Sequence, residues 1–203
     1  MTIKEYQNGH EVARLLNAVR NKNYAVFAIG GGAITAVCTA SENKILSKYI
    51  TFYQCDSEPL GCGNDAYLGR QRAEDCLKKE NILSKAFFRK AIVISTLGGG
   101  TGTGAAPVFS KYLFEKGLEV TNIVSLPFAF EGRTKLEKSQ AAVAEMSKYA
   151  KTTIIFNEEI YKTILADKNF NEFFSIIDGY IENALFYAIG ITDKKAPWYK
   201  RFL

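Results

Sequence analysis

Five glycines fall within seven residues at Gly98-Gly99-Gly100-Thr101-Gly102-Thr103-Gly104, directly after the apolar run Ala91–Leu97. A stretch with helical apolar spacing follows, read as a helix over about Ala105–Lys116 and stopped by Gly117. Strand, glycine loop and helix in that order place the loop where α/β sheets bind ligands. A helix start offers unpaired N–H groups and the positive end of the peptide dipoles, so it attracts anions. Glycines without Cβ atoms let main-chain amides approach phosphate oxygens, and Thr101 and Thr103 add hydroxyl donors. Pro107 reads as an early helical position, where a missing N–H costs little. A Walker loop would need a lysine after the last glycine, and none follows. The dinucleotide pattern Gly-x-Gly-x-x-Gly fits the run in no register. A tight turn without a ligand would not need five glycines.

The rest of the chain alternates short apolar runs with amphipathic stretches, which predicts an α/β fold with a largely parallel sheet flanked by helices. Strands are expected at Tyr24–Ile29, Tyr49–Tyr53, Ala91–Leu97, Val120–Leu126 and Thr152–Phe156. Helices are expected at 9–21, through Ala36, Val37 and Ala40, around Arg70–Lys79, over Lys135–Tyr149, near Glu158–Leu165 and over Phe170–Ile189. With no repeat and no Pro- or Ser-rich linker, the expected organisation is a helical extension at 1–23, one domain at 24–190 and a short basic tail at 191–203.

Composition removes several function classes. Hydrophobic residues make up 47% and charged residues 23%, so a core can be built and a disordered chain is excluded. No apolar run reaches the length of a membrane span, and the N-terminus lacks a signal-peptide pattern, so a cytoplasmic location is expected. A net charge of +5 is too mild and too dispersed to predict nucleic-acid binding. The tail residues Lys194, Lys195, Lys200 and Arg201, with Trp198 and Tyr199 between them, leave packing and partner contact both open. Cys38, Cys55, Cys62 and Cys76 form no close metal-ligand pair, and the single His10 adds little, so free, mostly buried thiols and no protein-held metal are expected. One histidine also excludes most catalytic triads.

Gly99-Gly100-Thr101-Gly102-Thr103-Gly104-Ala105-Ala106-Pro107-Val108 resembles the signature of the FtsZ/tubulin GTPase family, and the likeness runs in order from about Tyr24 to Ile189. The resemblance implies a Rossmann-like guanine-nucleotide domain that takes GTP or GDP, with a magnesium ion held by phosphates and water. Gly30, Gly31, Gly32 and Thr35 would line the diphosphate together with Gly99, Gly100, Thr101, Gly102 and Thr103. The segment Gly61–Arg70, with Gly63, resembles the loop that senses the terminal phosphate. Pro127-Phe128-Ala129-Phe130-Glu131-Gly132-Arg133 looks like the ribose loop, in which Glu131 accepts from ribose hydroxyls and Lys135 supplies the nearby cation. Asn157 and Asp178 match the guanine-reading pair, and Phe173 is expected against the base.

The pattern also departs from the family. Ala33 and Ile34 stand where a longer glycine run and an asparagine are usual, which places side chains near the diphosphate, and Gln54-Cys55-Asp56 replaces Asn-Thr-Asp. The hydrolytic Asn-x-Asp-x-x-Asp loop is not found in Ile191–Leu203, so no catalytic residue is assigned. The leading expectation is a GTP- or GDP-binding protein of cell division or a related filament system. It would be regulatory or assembly-dependent, with weak or no hydrolysis alone, and its partner would be itself or a complete FtsZ-family protein. A scaffold that has lost nucleotide is the alternative. A third reading places NAD at Gly30–Gly32, with Asp56 after the second strand.

Overall fold

The apolar runs become strands of one six-stranded sheet in the computed structural model of the chain, which describes residues 2–5, 24–42, 50–56, 61–79, 88–164 and 170–190. The strands are β1 Thr2–Glu5, β2 Tyr24–Ile29, β3 Ile50–Asp56, β4 Lys90–Thr96, β5 Glu119–Leu126 and β6 Lys151–Phe156. The helices are α1 Gly31–Ser41, α2 Ala66–Lys79, α3 Gly100–Glu115, α4 Arg133–Met146, α5 Asn157–Ile164 and α6 Phe170–Ala188, with a 3-10 turn at Ala129–Glu131.

Spatial order across the sheet is β1-β3-β2-β4-β5-β6. Five strands run parallel and β1 is antiparallel to β3, with Ile3 opposite Cys55. Parallel strands covered on both faces read as continuous apolar runs, because alternate residues serve two cores. In β2, Ala25, Phe27 and Ile29 join one core and Val26 and Ala28 the other. The first core is closed by α2, α3 and α4 through Leu77, Phe109, Leu113 and Met146. The second is closed by α1, α5 and α6 through Val37, Ile160, Phe173 and Ile181. From β2 the chain crosses to β3 on one side, whereas from β4 it crosses to β5 on the other. The crevice between the ends of β2 and β4 is therefore the topological switch point of the sheet.

Three features differ from the sequence reading. Thr2–Glu5 is an edge strand of the sheet, in a segment expected to be part of a helical extension. Helix α3 begins at Gly100 rather than Ala105, so most of the glycine run is helical. Glycine and threonine are weak helix formers, and packing against α2 overrides that preference. In consequence Pro107 lies inside the helix and not in its first turn. The expected helix at 9–21 and the basic tail lie outside the described residues. None of the four cysteines is in a disulfide, and Cys55, Cys62 and Cys76 are buried. Among the described residues no helix is long and apolar enough to cross a membrane.

Candidate functional site

The turn from β4 into α3 is confined to Leu97-Gly98-Gly99. Leu97 N–H donates to the Ser125 carbonyl of β5 at 2.9 Å, and Gly98 N–H donates to Thr103 Oγ1 at 2.9 Å. Gly98 has φ +116°, a conformation that side chains rarely adopt. The glycines inside α3 serve another purpose than expected. A Cβ on Gly104 would press on the Ala66 carbonyl oxygen and lie 2.7 Å from Arg70 N, both backbone atoms of α2. Gly69, Gly100 and Gly102 are hemmed in by backbone in the same way. Much of the glycine content thus lets two helices and a strand touch without intervening side chains. Gly31 and Gly99 are different: a Cβ on Gly31 would enter open space, and one on Gly99 would meet nothing nearer than Gly63 O at 3.8 Å.

That space is a cavity of about 970 Å³ at the switch point. All the site residues expected from the sequence line it except Thr103 and Phe173. Its floor is Gly30–Gly32 with Thr35 on one side and Gly99–Gly102 on the other, so the starts of α1 and α3 converge on it. Two helix N-termini aimed at one space make it attractive to a polyanion. Gly63 closes one flank, and Gly100 N–H donates to its carbonyl. Thr103 faces the neighbouring recess, its hydroxyl already accepting from Gly98.

Midway along the cavity, Lys135 Nζ sits 3.2 Å from Glu131 Oε2. The other carboxylate oxygen, Glu131 Oε1, accepts from Phe128 N–H at 2.9 Å, which fixes the 3-10 turn. Ala129 N–H donates to Glu158 Oε2 at 3.2 Å and pins the same turn to α5. Lys162 and that amide hold the Glu158 carboxyl below its ordinary pKa. Loop 127–131 is therefore tied down at both ends before any ligand arrives.

The far end holds the groups that can read a base. Asn157, the first residue of α5, is nine-tenths buried, and its Oδ1 has no hydrogen-bond partner. A buried acceptor left open is costly, so such an atom beside a cavity marks a place for a donor. Asp178 lies half-buried on α6, where burial pushes its carboxyl above the ordinary range.

Phe173, expected against the base, is instead buried in the core, 5.0 Å between ring centroids from Phe128 and 5.8 Å from Tyr161. Phe174 lines the cavity, half-exposed. The signal was in the spacing: residues four apart share a helix face, which pairs Asp178 with Phe174 and turns Phe173 away. Phe130, stacked on Phe128 at 4.8 Å, also lines this end and was not singled out from sequence. Ala33 and Ile34 do not obstruct the diphosphate region. Ala33 is fully buried in the α1–sheet core and Ile34 packs on the same core, while the Thr35 hydroxyl donates back to Gly31 O at 3.1 Å.

Known proteins share this fold. The sequence profile described as the Tubulin/FtsZ family, GTPase domain, matches residues 25–165. The cell division protein FtsZ of Porphyromonas gingivalis is 28% identical over 190 residues, covering 83% of this chain and 40% of that protein. FtsZ 2 of Methanocaldococcus jannaschii is 33% identical over 136 residues, covering 66% of this chain and 34% of that protein. The chain thus spans well under half the length of these curated relatives. Among solved structures, an empty FtsZ dimer of M. jannaschii superposes with a TM-score of 0.69 at 19% identity, covering 85% of this chain and 56% of that one. CetZ1 of Haloferax volcanii, a GDP-bound monomer, gives 0.68 at 19% identity, covering 85% and 62%. At such identities these superpositions speak for the fold, and the profile speaks for descent: the chain belongs to the Tubulin/FtsZ family through its GTPase domain.

Proposed function

We propose that this chain binds GTP or GDP in the switch-point cavity and acts in a division or related filament system. The observation that carries the reading is the unpartnered, buried Asn157 Oδ1 at one end of a cavity whose other end is floored by two helix starts. A purine base would lie against Phe174, with Asp178 accepting from the N1 and N2 protons that guanine has and adenine lacks. Glu131 would accept from ribose hydroxyls, steadied by Lys135. The amides of Gly31, Gly32 and Gly99, with the Thr101 hydroxyl, would take the diphosphate. A magnesium ion would arrive with the phosphates and water and neutralise their charge. Among the described residues no group of three His, Cys, Asp or Glu side chains is placed to hold one alone.

Chemistry on the terminal phosphate needs an oriented water. In the assembly-dependent reading the chain holds nucleotide and the carboxylates that orient this water come from a neighbouring subunit. In that role it would cap or regulate a filament. The scaffold alternative drew on Ala33, Ile34 and Thr35; Ala33 is fully buried and Ile34, partly buried, packs on the same core, which favours the nucleotide reading.

A titration with GTP, GDP, ATP and NAD tests the reading. GTP and GDP should bind with micromolar or better affinity and ATP and NAD far more weakly. Equal affinity for all four, or binding of none, overturns it. Mixing the chain with a complete FtsZ then tests the regulatory part: polymer length or GTP turnover should change, and no effect at excess removes capping.

A further inference from the structure

At the end of the sheet opposite the cavity the strands begin and helices α2, α3, α4 and α6 finish, and this end carries unmatched cations. Lys79 closes α2, Lys116 caps α3, Lys148 follows α4, Arg89 precedes β4 and Lys151 opens β6, and all five are exposed. The neighbouring lysines are matched, Lys78 to Asp75, Lys90 to Glu119 and Lys111 to Glu115. Among the described residues the five have no carboxylate within ion-pair distance. Helix C-termini favour nearby cations, which accounts for Lys79, Lys116 and Lys148 but not for Arg89 or Lys151. Aromatic rings stand among these charges. Lys116 Nζ lies 5.4 Å from the centre of the Tyr112 ring, and Lys151 Nζ 5.7 Å from that of Tyr187. Tyr187 is 55% exposed, and Phe114, against Tyr149, is 50% exposed. The chain leaves α6 through Gly190 at this same end, and the sequence that follows carries Lys194, Lys195, Trp198, Tyr199, Lys200 and Arg201.

We propose that this end face rests on an anionic lipid bilayer, with the cavity pointing away from the membrane. Three features select that partner. The cations come from the ends of five different elements across the sheet, so the charge is spread like that of a leaflet and not gathered around one bound ion. Half-exposed Phe114 and Tyr187 flanked by lysines are the side chains that settle at a headgroup boundary. Four helix C-termini present carbonyls here, which disfavour a phosphate held in close contact, as a nucleic-acid backbone would be; lysine stems reach past them to headgroups. Each cation near an anionic leaflet multiplies partition about fivefold. The proposal uses none of the cavity residues and stands apart from the nucleotide reading.

The test floats the full chain with vesicles of phosphatidylcholine alone and of equal parts phosphatidylcholine and phosphatidylserine, in about 0.1 M salt. The parent should float with the anionic vesicles only, and rising salt should release it. Lys116→Gln combined with Lys148→Gln should lower the partition about 25-fold. Arg133→Gln combined with Lys138→Gln removes the same charge from the first turns of α4 and should float like the parent. The 14 residues of α4 hold its two ends about 20 Å apart, two Debye lengths at this salt. A parent that ignores anionic vesicles, or a control pair that falls as far as the Lys116 and Lys148 pair, overturns the proposal. So does retention of duplex DNA or polyglutamate in place of vesicles. If neutralising Lys194, Lys195, Lys200 and Arg201 abolishes flotation while the Lys116 and Lys148 pair leaves it unmoved, the tail binds alone and the proposal falls. Lys116, Arg133, Lys138 and Lys148 are all exposed, so melting curves of the two pairs should coincide with the parent's and exclude misfolding as the cause.

Discussion

Gly104→Ala and Gly99→Ala should separate the glycines that hold the fold from those that serve the cavity. In an unhindered helix interior, glycine to alanine stabilises by about 1 kcal/mol. At Gly104 the new methyl would meet the Ala66 carbonyl oxygen and lie 2.7 Å from Arg70 N, and neither is the end of a flexible side chain. Helices α2 and α3 must move apart, loosening the close approach at Gly69 and Gly100 as well. Overpacking of this kind costs about 1–3 kcal/mol and sometimes more, and backbone on both sides places it at the upper end. After the propensity gain, a net loss of about 2 kcal/mol remains, which in a chain of this size is about 4–8 °C in Tm. Gly99 has φ −86° and ψ 162°, open to any residue, and its nearest neighbour would be Gly63 O at 3.8 Å. Its alanine variant should melt within about 2 °C of the parent, because a surface change without a named mechanism is small. It should nevertheless bind guanine nucleotide less well, since the methyl intrudes on the cavity floor. Thermal melts by circular dichroism, with and without GTP, read both effects. A Gly104→Ala chain that melts at or above the parent, or a Gly99→Ala chain that falls as far, refutes the division.

Further outcomes follow from the base end of the cavity. Asp178→Asn should raise the melting temperature of the free chain, because a carboxylate disfavoured by burial is removed, while weakening GTP by about 30-fold through two lost charge-assisted acceptor contacts; a stabilised variant with unchanged affinity would remove Asp178 from the site. Since burial raises the Asp178 pKa and guanine needs the ionised form, GTP affinity should fall on acidification sooner than an ordinary carboxylate predicts, and the decline should be absent in Asp178→Asn. Asn157→Ala should leave the free chain nearly as stable, having deleted an unsatisfied buried acceptor, yet cost about tenfold in GTP affinity, read by isothermal titration. Phe173→Ala should cost about 3–5 kcal/mol of stability, whereas Phe174→Ala should spare the fold and weaken nucleotide binding; the reverse pattern would restore Phe173 to the site.

The parallel sheet was legible because Tyr24–Ile29, Ala91–Leu97 and Val120–Leu126 are buried on both faces and carry almost unbroken apolar runs. Thr2–Glu5 was not legible: a four-residue edge strand has no apolar run to announce it, and its pairing with β3 is a tertiary event. The start of α3 was misplaced because local propensity argues against a helix of glycine and threonine, and only the approach of α2 makes one. The cavity residues emerged through family likeness and order along the chain. The one misassigned aromatic, Phe173, came from sequence position where helical phase should have decided. Phe130, largely exposed, escaped notice because nothing in a loop's sequence says which aromatic borders a cavity.

The bare contact between α2 and α3 has a mechanical consequence. Where side chains separate two helices, rotamer changes absorb small displacements, but between Gly104 and Ala66, or Gly100 and the Cys62–Asp65 turn, there is only main chain. A shift of the α3 start by a fraction of an ångström must be transmitted to α2 undamped. The ion pair from Arg70 to Glu145 carries it on to the end of α4. Whatever settles on the floor of the crevice is therefore felt across the α2–α3–α4 layer, through a joint that has no cushion.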